Sequence, residues 1–106
     1  MEQVKNEIDM IQTHLNRKDL LLQLAEECSE LSHAALKLHR KITGTNPTPT
    51  LYSDCENNLM EEAADVVLCL KTLKILDGGV FEKELDDIVD IKRQRWVSRL
   101  MKEEDK

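Results

Sequence analysis

An all-α protein is the fold class this sequence predicts. Helix formers dominate, and only three Gly, two Pro and three aromatic residues occur in 106 positions. Apolar residues recur at spacings of three and four, the helical period, rather than at two. A four-helix bundle-like single domain follows. A chain this short buries only a modest share of its surface alone, so completion of the bundle by oligomerisation is expected.

The first helix carries Val4, Ile8, Ile11 and Leu15 and ends near Asn16, where the chain can cap and restart. The second runs from about Lys18 to Ile42, with Leu21, Leu24, Cys28, Leu31, Ala35, Leu38 and Ile42 as its apolar stripe. Gly44 can take a left-handed cap, and Pro47 and Pro49 disfavour helix before them, so residues 43–52 form the one real loop. Ser53-Asp54-Cys55-Glu56 has the spacing of a capping box that opens the third helix, and Asp77-Gly78-Gly79 stops it. That helix is apolar almost all round, apart from a polar strip of Asn58, Glu62, Asp65, Cys69 and Thr72. The fourth, from about Phe81 to Met101, has Leu85, Ile88, Val89, Trp96 and Leu100 as its inward stripe, with Lys92 inside it. A frayed tail at 102–106 completes the chain.

The net charge of -6 opposes binding to nucleic acid polymers or to an anionic membrane. Cys28, Cys55 and Cys69 are odd in number and lack Cys-x-x-Cys spacing, so neither a disulfide framework nor a zinc site is expected. With no basic n-region, signal-like apolar segment or membrane-length apolar run in the sequence, a cytoplasmic location is the expectation.

Two acidic couplets interrupt the apolar helices: Glu27-Cys28-Ser29-Glu30 and Glu62-Ala63-Ala64-Asp65. Residues three apart on a helix are neighbours, so each couplet projects two carboxylates from one face, and two opposed faces gather four. Glu-x-x-Glu on a helix is ordinarily a solvated face. The second couplet changes that, because its helix has little polar face to spare and buried acids are expensive unless paired or metal-bound. An oxygen-only donor set favours a hard cation, Mg2+, with Mn2+ as substitute. Gln23 and Asn58 each stand one turn before a couplet, an echo that suggests two matching halves of one substrate-binding site.

Glu30-Leu31-Ser32-His33 matches the Glu-x-x-His element of di-iron bundles, but it occurs once, and His33 reads as a surface or interface residue. Lys37 and Arg40 continue the Glu30 face; solvation and salt bridging are the usual account of such cations, and suffice for Arg93 and Arg99. Lys92 differs, because Ile88 and Trp96, four residues to either side, are apolar, and a lysine held there could meet a phosphate. A noncatalytic acidic interaction module is the rival from another class.

The strings Leu24-Ala25-Glu26-Glu27-Cys28-Ser29-Glu30-Leu31 and Glu61-Glu62-Ala63-Ala64-Asp65-Val66-Val67 resemble the Glu-Glu-x-x-Glu and Glu-x-x-Asp signatures of MazG-like all-α nucleoside triphosphate pyrophosphohydrolases. The resemblance covers about residues 18–100. It implies Glu27, Glu30, Glu62 and Asp65 as magnesium ligands, Glu26 or Glu27 as the catalytic base, and hydrolysis of a nucleoside triphosphate to monophosphate and pyrophosphate. It also implies a homodimer or homotetramer. The 31-residue spacer between Glu30 and Glu62 is longer than is usual in that family. Lys92-Arg93-Gln94-Arg95-Trp96 resembles the basic terminal helix of its small members, which makes Lys92 and Arg95 the implied substrate contacts.

Overall fold

A computed structural model describes residues 2–44 and 50–104. It contains four helices in the order α1 (Glu2–His14), α2 (Arg17–Thr43), α3 (Tyr52–Thr72) and α4 (Val80–Glu104), with no strand among the described residues. The chain divides into two compact units at the Leu73–Lys74 bond. Most of the expected loop, 45–49, and the end of the expected tail, 105–106, lie outside the described residues.

In the first unit the helix signals act much as expected. The Asn16 side chain accepts a hydrogen bond from the Asp19 N–H at 2.9 Å, which caps α2. Gly44, at φ 68°, closes the other end by donating its N–H to the Arg40 carbonyl at 2.8 Å, a left-handed conformation in which a Cβ is strained. The beginning of α3 departs from expectation. Its N-cap is Leu51, which makes no side-chain cap, and the Ser53 capping box does not form. Glu56 instead accepts from the Tyr52 hydroxyl one turn back, a contact that raises the phenol above its ordinary pKa. The helix also stops before Asp77. Lys74 takes φ 64°, and the Gln12 side chain of α1 donates to the Thr72 carbonyl at 2.6 Å, satisfying one of the acceptors a helix end leaves open.

Helices α2 and α3 pack antiparallel, Glu27 lying against Glu62 and Asp65, and Leu38 near Tyr52 and Leu59. The α2 face that packs is rotated by one residue from the expected stripe. Leu20 and Ala34 are buried and Leu24, Glu27, Leu31 and Leu38 half-buried, whereas Leu21, Cys28, Ala35 and Ile42 are exposed. Leu20, Leu21 and Leu22 point in three directions around the helix, so composition alone selects none of them; the small Ala34 lets α3 approach on the chosen side. Across from it, Cys55, Cys69 and Leu73 are buried and Leu59, Glu62 and Val66 half-buried. Both series alternate in steps of three and four, the seam of a coiled coil, and each has a glutamate where an apolar residue belongs. The polar strip of α3 is therefore its packed side. Its outer side mixes charged residues such as Glu56, Glu61 and Lys71 with exposed apolar ones: Met60 is 72% exposed, and Val67 and Leu68 are exposed as well. Ile8 and Ile11 of α1 are half-buried, and α1 packs on α3.

In the second unit Asp77, expected to end the preceding helix, helps begin α4. Its Oδ1 accepts from the Gly79 N–H at 2.8 Å and from the Glu82 N–H at 3.3 Å, while the Gly78 N–H donates to the Glu82 carboxylate. The inward stripe expected on α4 is not buried. No residue of α4 is, and Ile88, Val89, Trp96 and Leu100 are all exposed. The apolar positions drift around the helix, from Ile88 and Ile91 on one side to Val97 and Met101 on another, so no single stripe is maintained.

Candidate metal centre

Midway along the α2–α3 seam the two glutamates meet. One carboxylate oxygen each from Glu27, Glu62 and Asp65 lies within 4.8 Å of the other two. Glu27 and Glu62 occupy seam positions and are half-buried, while Asp65, one turn beyond Glu62, is exposed at the edge. The arrangement follows from antiparallel packing of two heptad faces, which sets the polar substitutions opposite each other. Gln23 donates to Glu27 Oε1 at 2.7 Å across one helical turn. Expected as a substrate contact, Gln23 is seen holding a carboxylate in place.

Partial burial, followed by the negative charges of Asp65, Glu30, Glu27 and Glu61, raises the Glu62 carboxyl above its ordinary range. Burial is also the main reason the Cys69 thiol is raised, with the charges of Glu27 and Asp65 adding to it. Carboxylates this close disfavour joint ionisation unless a cation lies among them. Three convergent carboxylate oxygens of this kind could hold a hard divalent cation.

Glu30 does not join the three. It is exposed and lines an adjoining groove with Glu62 and Asn58, so the expected set of four is a group of three with a neighbour. Glu26 is exposed and outside the group, one turn before Glu30 on the helix. His33 also lines the groove and is outside the group. Lys92 and Arg95 belong to the second unit and are exposed. The groove has a volume of about 500 Å³ and reaches Lys37 and Arg40, two half-buried cations that the sequence had marked only as continuing the Glu30 face. Their spacing of seven and ten residues from Glu30 was the available signal. Among the described residues no helix is long and apolar enough to cross a membrane.

No protein-family model, curated protein or solved structure matches the chain.

Proposed function

We propose that this chain is a magnesium-dependent, MazG-like pyrophosphohydrolase that cleaves a nucleoside triphosphate to the monophosphate and pyrophosphate. The observation that carries the reading is the convergence of Glu27 and Glu62, at seam positions that packing alone would fill with apolar side chains, with Asp65 at the seam's exposed edge. Three acids kept together against their mutual repulsion have a use if a cation joins them. Glu27, Glu62 and Asp65 would hold magnesium, with Glu30 beside them at the groove. Bound there, it would offset phosphate charge and lower the pKa of a bound water.

The chain's own residues do the rest. Gln23 fixes the Glu27 carboxylate, and Asn58 offers its amide to the groove. Glu26 or Glu27 accepts the proton of the attacking water as the anhydride linking the monophosphate to pyrophosphate breaks. Assembly as a homodimer or homotetramer belongs to the same reading, supported by the exposed apolar residues Met60, Val67 and Leu68 of α3 and those of α4. A cytoplasmic location fits a nucleotide substrate.

The test is a panel of canonical and modified nucleoside triphosphates with Mg2+ or Mn2+, resolving pyrophosphate from single phosphate. Metal-dependent pyrophosphate release is expected. The exposed apolar residues of α4 favour a second reading, a noncatalytic helical interaction module, which predicts no release from any member of the panel.

A further inference from the structure

Helix α4 carries its own complement. Over residues 80–91 acids outnumber bases five to one, and over 92–104 bases outnumber acids five to two, so the two halves of the helix bear opposite charge. Among the described residues Asp90 and Arg93 form the one ion pair within it. Helices in proteins owe most of their stability to a packed face, and this one buries none. Although its apolar positions drift overall, Leu85, Val89, Trp96 and Leu100 return to within about 60° of one another at the helical period. Leu85 is half-buried and the other three are exposed, Trp96 by 65%.

The four are arranged symmetrically. Leu85 and Leu100 stand equally far from the point between Lys92 and Arg93, and so do Val89 and Trp96. Glu84 and Lys102, about five turns apart and hence on one flank, are centred on Arg93. Turned end for end about that point onto a second α4, Leu85 meets a leucine, Val89 meets a tryptophan and Glu84 comes opposite a lysine, with the two helices overlapping along nearly all of their roughly 37 Å. Other occupants satisfy only part of the surface. An anionic polymer or membrane is repelled by the acidic half, a cationic peptide by the basic half, and a parallel copy sets like charge beside like.

We propose that α4 is a self-complementary interface on which two copies of the chain pair antiparallel, related by a two-fold axis that crosses the helix near residues 92–93. The inference rests on the assembly in the functional reading and not on its chemistry, and it is tested without turnover. Light scattering on the full-length chain in low salt should give about twice the 12.3 kDa of one chain, with salt weakening the pair. Glu84→Lys with Asp87→Lys makes the acidic half basic, and Arg99→Glu with Lys102→Glu makes the basic half acidic. Each double variant should raise the dimer Kd about a hundredfold or more, the scale of like charges brought together, with circular dichroism unchanged, and an equimolar mixture of the two should pair again. Orientation is read by mild oxidation of a chain carrying Leu85→Cys mixed with one carrying Leu100→Cys. The 85–100 crosslink should dominate over like-with-like products, wild type serving as control for the exposed Cys28.

A wild-type mass of one chain at every concentration overturns the proposal. So do double variants that stay paired, a mixture that fails to pair, or like-with-like crosslinks; if a double variant loses helix, the cysteine pair decides. The two claims fail separately. Antiparallel pairing without pyrophosphate release from any nucleotide sinks the enzyme reading alone, and release by a chain that stays monomeric sinks the interface alone.

Discussion

Helices α2 and α4 are of similar length, 27 and 25 residues, yet they are sustained by different physics. Along α2 a seam against α3 buries Leu20 and Ala34 and half-buries Leu24, Leu31 and Leu38, so its stability is largely tertiary. Nothing in α4 is buried. Its order is local: Glu82, Glu84, Asp86, Asp87 and Asp90 lie in the first half and Lys92, Arg93, Arg95, Arg99 and Lys102 in the second, a polarity that follows the helix dipole, with Lys83, Glu103 and Glu104 running against it. An Asp90–Arg93 pair at 2.8 Å adds a small, exposed contribution. A helix can thus be specified without being packed. Where packing does exist, it is the packed face that receives the unusual charges.

That contrast is most sharply tested at the acids. Glu62→Gln or Asp65→Asn should lower pyrophosphate release by about two orders of magnitude or more, the scale on which one preorganised stabilising group acts. Near wild-type turnover at saturating magnesium would remove that residue from the ligand set. Next in size is the packing difference. Leu20→Ala, at a site 5% exposed, should cost about 2 to 5 kcal/mol in denaturant unfolding. Leu100→Ala, on the uncovered α4, should cost within about 0.5 kcal/mol if the helix stays exposed in solution. A large, concentration-dependent loss at Leu100, together with light scattering above the 12.3 kDa of one chain, would show that a second copy covers α4.

Lys92→Met tests the cation that the sequence singles out on α4. If Lys92 meets a substrate phosphate, kcat/KM should fall by about tenfold or more with the fold intact by circular dichroism; unchanged kcat and KM would leave it an exposed surface residue. The smallest effect concerns pH. Folding raises the Glu62 pKa above its unfolded value, so the folded chain binds that proton more tightly and is penalised where Glu62 is ionised. Without metal, Glu62→Gln should therefore melt above wild type at neutral pH. The gap should narrow as pH falls through the folded pKa toward the ordinary carboxylate value, and magnesium should narrow it at neutral pH by stabilising wild type. A gap that widened on acidification would contradict the crowding of carboxylates around Glu62.

Local rules were readable because their partners lie within a few residues. Asn16 and Gly44 cap α2 through contacts three and four residues away, and the all-helical class follows from period and composition. Pairing the two acidic couplets also required only helical spacing and an assumed opposition. Competing local signals are not resolvable this way: Ser53 has the spacing of a cap yet the helix starts from Leu51, and Asp77, which reads as a stop, works forward onto Gly79 and Glu82. Lys74 adopts a positive φ that its residue type does not advertise, and the carbonyl of Thr72 is met by Gln12, sixty residues earlier.

From its sequence alone this chain determines four helices, most of their ends, and two acidic couplets on neighbouring helices. Tertiary structure decided which side of each helix is inside. Leu20 and Leu21 open two overlapping stripes on α2, one through Glu27 and Ala34 and the other through Cys28 and Ala35, and the approach of α3 over Ala34 chooses between them. That choice places Glu27 and Glu62 in the seam, makes three carboxylates converge while Glu30 turns to the groove, and brings Lys37 and Arg40 into line with Asn58. Helical period relates residues along one helix; the rotation of one helix about its axis against another is set by which side chains fit, and that comparison exists only when both are folded together.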